Sequence, residues 1–322
     1  MPTVLITGGH SGIGLECAKQ LTSGPGLNLV LAGRSTERME SAAQQLRTAS
    51  GVKVSTLKLD VSSMASVRAA AAQCRAMLDS GEIDSLQAII LNAGAQFRRA
   101  ISYSVDGYEE TFATNCLGHF LLFELLLDCV VDHGRIVFTA SGTHDPDTRD
   151  GKMVGVVVEP DATALANDGK ADAKPLSGGV RYSTSKLCTI LYAYELDRRL
   201  KKSGSAIASI AFDPGSVPET GLLRTMPKPV QWLSKTALMK FVFRRIGITM
   251  GTISFSGAAL AKIAADPAYS NGSGKYFQSN DGSLIEARSS KMSYDKNRAA
   301  KLWNDSKLLI HLQPNEEAAQ LR

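Results

Sequence analysis

The sequence has no apolar run approaching the roughly 20 residues that cross a bilayer. Its start, Met1-Pro2-Thr3-Val4-Leu5-Ile6, leads straight into an apolar strand pattern, with no basic-then-apolar leader. A cytoplasmic placement is therefore expected. Cysteine is scarce: Cys17, Cys74, Cys116, Cys129 and Cys188 are scattered, odd in number and without metal-ligand spacing. Such usage argues against a disulfide framework and fits reduced thiols. His10, His119, His133, His144 and His311 form no metal constellation, so no metal is expected. No Pro- or Ser-rich linker and no internal repeat divides the 322 residues, and one domain over 1–322 is expected. The net charge of +5 is too mild to argue for nucleic acid. Acidic residues are missing from Thr220 to Ala265, while Arg224, Lys228, Lys235, Lys240, Arg244 and Arg245 are basic.

What is present is an alternation. With 44% apolar residues the chain can bury a large core. Apolar, β-branched runs predict strands at Thr3–Thr7, Asn28–Ala32, Lys53–Leu59, Leu86–Asn92, Gly134–Ala140, Ala206–Phe212 and Gly274–Gln278. Helical patterns follow near Ile13–Leu21, Glu37–Thr48, Met64–Leu78, Tyr108–Cys129, Arg181–Lys202 and Gly251–Ala264. Strands alternating with helices predict an α/β fold: a single-domain, Rossmann-type, doubly wound parallel sheet with helices on both faces. Two stretches break the rhythm. Residues 142–180 read as an inserted loop rich in Gly, Asp, Ala and Pro, and 214–250 as an irregular segment with Met226, Trp232, Phe241 and Phe243. In the C-terminal part, 290–322, Asp295–Leu312 reads as an amphipathic helix.

Tyr182 and Lys186, four residues apart on a helical pattern, project from one face. An ammonium beside a phenol favours the phenolate, so the tyrosine pKa is expected to fall from its reference of about 10. Such a tyrosine can protonate a carbonyl oxygen at neutral pH. Thr7-Gly8-Gly9-His10-Ser11-Gly12-Ile13-Gly14 links the first strand to the first helix. Glycines there let the backbone approach a pyrophosphate, and the helix N-terminus supplies amide donors. The second strand ends in Gly33-Arg34, with Arg38 a turn later, where an NAD site would carry a carboxylate. Arginine suits a 2′-phosphate, so NADPH/NADP+ is the expected cofactor.

Taken in order, Gly8-x-x-x-Gly12-x-Gly14, Asp60-Val61, Asn92-Ala93-Gly94, Asn115, Ser141, Tyr182-x-x-x-Lys186 and Pro214-Gly215 resemble the short-chain dehydrogenase/reductase family over about residues 1–265. Thr111–Phe120, Tyr182–Cys188 and Pro214–Leu222 are similar to its retinol dehydrogenase and protochlorophyllide reductase branch. The resemblance implies that Tyr182 is the proton donor. It implies that Lys186 lowers the Tyr182 pKa and bonds the nicotinamide ribose, and that Ser141 polarises the substrate carbonyl. Asn115 would hold a water that connects Lys186 to solvent. Gly8, His10, Ser11, Gly12, Ile13 and Gly14 would cradle the pyrophosphate, and Asp60 with the Val61 backbone would meet the adenine edge. Asn92, Ala93 and Gly94 would let the cofactor pass. Pro214, Gly215 and Val217 would border the nicotinamide, and Thr220 would contact the carboxamide or pyrophosphate.

The expectation is an NADPH-dependent reduction of a ketone or aldehyde on a bulky, apolar small molecule. Alternatives are light-dependent C=C reduction, as in protochlorophyllide reductases, and a non-catalytic NADP(H) sensor. The protochlorophyllide enzymes carry cysteine where this chain has Ser216, and Ser141 suits C=O chemistry better. The 220–248 segment reads as a cover over the substrate, a peripheral membrane contact or a packing element. His144, just past Ser141, reads as an ordinary loop histidine, with a substrate-pocket residue as the alternative. Oligomeric state leaves no signal.

Overall fold

The computed structural model describes the chain except residues 25, 98–99, 172, 218–248 and 250. Thr220 and the whole of the expected 220–248 cover or membrane-contact segment therefore lie outside the described residues. Seven parallel strands and one antiparallel edge strand form a single sheet in the order β3-β2-β1-β4-β5-β6-β7-β8. They are β1 Thr3–Thr7, β2 Asn28–Gly33, β3 Val54–Lys58, β4 Leu86–Leu91, β5 Val130–Thr139, β6 Ala208–Asp213, β7 Tyr276–Asn280 and β8 Ser283–Ala287. The order reverses between β1 and β4, and the crevice at the carboxyl ends of those strands is where an open α/β sheet receives a ligand.

Strand alternation divides the core in two. Val4 and Ile6 of β1 pack with Cys17 and Leu21 of α1 (Gly12–Ser23), Leu46 of α2 (Thr36–Ser50) and Leu260 further along the chain. Leu5 faces the other way, towards Val67 of α3 (Met64–Asp79), Phe120 and Leu191. Side chains of successive strand residues point to opposite faces, so both sheet faces are apolar and helices cover each.

The stretch expected as one helix from Tyr108 to Cys129 is segmented. A short α4 (Glu110–Phe112) passes through a π turn, Ala113–Leu117, into α5 (Gly118–Leu126). By length and composition Glu110–Cys129 could cross a membrane, but 78% of its apolar window is buried inside the protein. It is a core helix. Gly118 allows its close approach: a Cβ there would lie 1.7 Å from the Val61 carbonyl oxygen.

The expected loop 142–180 holds two short helices, α6 (Arg149–Val154) and α7 (Ala162–Ala166). The 26-residue α8 (Gly178–Ser203) follows, with Ser177 accepting from the Val180 amide at its start and Gly204 in a left-handed turn at its end. Beyond it, α9 (Ile253–Ala265) packs on α1, and α10 (Lys296–Leu309) lies on α8. Trp303 of α10 is fully buried, with its ring edge-to-face on Phe120 at 4.9 Å. The antiparallel β8 was not expected. Asp281 and Gly282 take positive φ, 49° and 82°, and turn the chain back beside β7.

Candidate active site

A cleft of about 1000 Å³ lies over the carboxyl ends of the central strands. Gly8 (φ 70°) and Gly12 (φ 55°) take backbone conformations open to glycine, and nothing stands within 4 Å of where a Gly12 Cβ would be. Gly14 does not line the cleft. A Cβ there would meet the Gly8 carbonyl oxygen at 2.6 Å, so this glycine lets α1 close against the loop beneath. Ser11 at the start of α1 makes no side-chain cap, and the first turn carries no acidic residue. The amides of that turn stay available to an anion.

His10, Arg34 and Arg38 gather at the far end of the cleft. His10 Nδ1 is buried with no hydrogen-bond partner among the described residues. Burial, and then the charges of Arg38 and Arg34, lower its pKa. No described ion pair engages either arginine. An orphaned imidazole nitrogen beside two guanidinium groups with no described ion pair suits a phosphate, so the residues present fit a dinucleotide with a 2′-phosphate. Asp60 also faces the cleft, its Oδ1 accepting from the Ser62 amide (3.0 Å) and hydroxyl (2.7 Å). Asn92 and Ala93 donate their amides to Thr7 Oγ1, both at 2.9 Å, and Thr7 meets the buried His119 Nε2 at 3.0 Å. Burial, with the Lys186 charge, lowers the His119 pKa to about 3, so this ring is a neutral strut.

Tyr182 and Lys186 sit on one face of α8, with Lys186 Nζ 5.7 Å from the Tyr182 ring centre. Arg181 anchors that turn. It pairs with buried Glu109 at 3.2 Å and donates to the Leu176 and Phe97 carbonyls. Lys186 Nζ donates to the Thr139 carbonyl at 2.8 Å, and burial lowers its pKa to about 8. A Cβ on Gly94 would lie 3.3 Å from Asn115 Oδ1 and 3.5 Å from Lys186 Nζ, which places Asn115 beside the lysine. The Asn115 side chain is tied down: Nδ2 donates to Ala95 O and Ser185 Oγ, and Oδ1 accepts from Ala95 N. It lines neither the cleft nor the cavity described next.

A second cavity of about 400 Å³ adjoins the cleft. Ile13, Ala140, Tyr182 and Pro214 line both. Ser141 lines the smaller one, its Oγ accepting from the Thr143 amide and hydroxyl at 3.4 and 3.2 Å. Its own hydroxyl proton is left to point elsewhere. His144 holds Ser141 from behind. The Ser290 amide donates to His144 Nε2 (3.0 Å), so Nδ1 carries the proton and donates to the Ser141 carbonyl at 2.7 Å. The loop histidine is thus a buried brace.

The cleft brings together Gly8, His10, Ser11, Gly12, Ile13, Arg34, Arg38, Asp60, Val61, Asn92, Ala93, Gly94, Tyr182, Lys186 and Pro214. Gly215 and Val217 line the smaller cavity, next to Pro214, which lines both. Sequence reasoning missed Gln96, Asp150 and Asp213 in the smaller cavity, and Ser41 and Gln45 in the cleft. Asp213 had a signal, its place at the end of a buried strand just before Pro214-Gly215.

A family model described as short chain dehydrogenase matches residues 2–147. Protochlorophyllide reductase A, chloroplastic, of Oryza sativa subsp. japonica is 32% identical over 328 residues, covering 96% of this chain and 80% of that protein. Short-chain dehydrogenase TIC 32 A, chloroplastic, of Brassica napus is 31% identical over 97% of this chain and 89% of its own length. A crystal structure of an uncharacterised protein from Mycobacterium paratuberculosis superposes with a TM-score of 0.66 at 25% identity, covering 97% and 94% of the two chains. Sheet order, glycine loop and these relatives agree, and the chain belongs to the short-chain dehydrogenase/reductase family.

Proposed function

We propose that the chain is an NADPH-dependent reductase that delivers hydride to a ketone or aldehyde carbonyl, with Tyr182 as proton donor. One observation carries this reading: Tyr182 lines both the cleft and the smaller cavity, and Ser141 lines the latter beside it. A carbonyl in the smaller cavity would face two hydroxyls and the open end of the cleft. Bound NADPH would supply the hydride. Its 2′-phosphate would lie at His10, Arg34 and Arg38, its pyrophosphate at the start of α1, and its adenine edge at Asp60 and Val61. Ser141 would donate to the carbonyl oxygen and polarise it. Tyr182 would hand over its proton, and the Lys186 ammonium would stabilise the phenolate left behind. Asn115, beside Lys186, would order the water that returns the proton. Five free thiols suit a reducing compartment, and we place the enzyme in the cytoplasm.

The named protochlorophyllide reductase relatives favour a second reading, light-dependent reduction of a C=C bond. The available Ser141 hydroxyl and Ser216 in place of cysteine weigh against it. The test is NADPH and NADH oxidation in darkness against a panel of bulky ketones, aldehydes and quinones. Carbonyl turnover with NADPH well above NADH supports the proposal. Turnover only with protochlorophyllide under light would replace it, and tight NADPH binding without any turnover would favour a sensor.

A further inference from the structure

The smaller cavity holds polar groups that carbonyl reduction does not use. Asp150, on α6, is 6% exposed and lines that cavity. Among the described residues its hydrogen-bond partner is Thr249, whose amide donates to Oδ2 at 3.1 Å. The neighbouring Asp213 is differently placed. Its Oδ1 accepts from the Gly215 amide, and its Oδ2 from the Tyr276 hydroxyl and the Gln278 amide, each at 2.9 Å. A carboxyl satisfied by three donors has little left for a ligand; Asp150, engaged by Thr249 alone among the described residues, keeps acceptor capacity there. Both stand beside Gly142, the residue after Ser141, since a Cβ there would meet Asp213 Oδ2 at 3.1 Å and Asp150 Oδ2 at 3.6 Å, and all three line the same cavity as Ser141. Gln96 lines the same cavity, and its Nε2 and Oε1 are both buried without a partner among the described residues. Buried polar atoms without partners are costly unless something arrives to engage them.

We propose that Asp150 is a specificity residue whose carboxyl accepts a hydrogen bond from a hydroxyl that the substrate carries close to its carbonyl, with the Gln96 amide as the second polar contact. The preferred substrates are then hydroxyketones or hydroxyaldehydes, with an apolar body against Ile13, Met153, Val154 and Val217. Burial raises the Asp150 pKa, the Thr249 amide draws it back, the Asp213 charge adds to the rise, and the Thr249 hydroxyl lowers it further. This assignment rests on the reductase reading for its substrate class.

Binding tests it independently of turnover. Benzoin and deoxybenzoin share one skeleton and differ by one hydroxyl. Their affinities for the NADP+-loaded protein would be compared by calorimetry. The wild type is expected to bind benzoin about 10-fold tighter or more. Asp150→Ala should bring the pair within about 3-fold at unchanged NADP+ affinity. Asp150→Asn, whose amide oxygen still accepts and still holds Thr249, should keep most of the preference. A wild type that binds neither compound, or both equally, overturns the assignment. So does an Asp150→Ala protein that keeps the preference or loses both ligands equally. Intact discrimination in binding without NADPH oxidation would support the Asp150 assignment and count against carbonyl reduction.

Discussion

Lys186 Nζ lies 5.7 Å from the centre of the Tyr182 ring, close enough for the ammonium to act on the phenol's charge. The lysine is itself buried, and burial lowers its pKa to about 8, against smaller raising effects of Cys116 and Asp213. It is charged at pH 7 and loses its proton as the pH rises through about 8. Reductive kcat/KM should therefore fall along a limb centred near pH 8. In the free protein, the unfolded chain holds that proton up to about pH 10.5 while the folded one does not, so stability rises with pH across that window. The pH profile of reduction at saturating NADPH checks the first expectation; a rate flat to about pH 10 would contradict it.

On the proposed reading, cofactor choice rests on Arg34 and Arg38, two exposed guanidinium groups at one end of the cleft. Replacing both with Ala should lower kcat/KM for NADPH about 100-fold and leave NADH within about 3-fold. Kinetics with the two cofactors on one carbonyl substrate read this directly. An equal loss for both would assign the arginines to folding.

Glu124 is fully buried in α5, and among the described residues neither carboxyl oxygen has a well-aligned hydrogen bond. Burial pushes its carboxyl up to about 8, and the nearby Lys307 charge only partly offsets this. Its contribution to stability is complete below the unfolded pKa of about 4.3 and is lost as the pH rises through about 8. Glu124→Gln does not titrate. It should stabilise the protein at pH 8 by on the order of 2–4 kcal/mol and hardly at all at pH 4. Thermal unfolding of both proteins at the two pH values is the check.

Much of this was legible in sequence, for physical reasons. The central strands are apolar on both faces, so Leu86–Leu91 and Ala208–Asp213 could hardly be read otherwise. The glycine loop and the Tyr182–Lys186 spacing are local and survive in the primary structure. β8 was not legible, because its side chains are half-exposed and its apolar signal is weak. Asp281-Gly282 marked its turn and went unread. The π turn at Asn115 depends on ties to Ala95 and Ser185, one of them 70 residues away in sequence. Asp150 and Gln96 meet in the smaller cavity only through tertiary folding of the 142–180 stretch, where neither short helix spans two turns.

The central claim is that Tyr182 delivers the proton. The most direct measurement compares Tyr182→Phe with wild type for NADPH affinity, by fluorescence titration, and for carbonyl turnover. The variant should bind NADPH within about 3-fold of wild type and lose turnover by about 10³-fold or more. A variant that binds NADPH normally and still reduces the carbonyl at a comparable rate would contradict the role given to Tyr182.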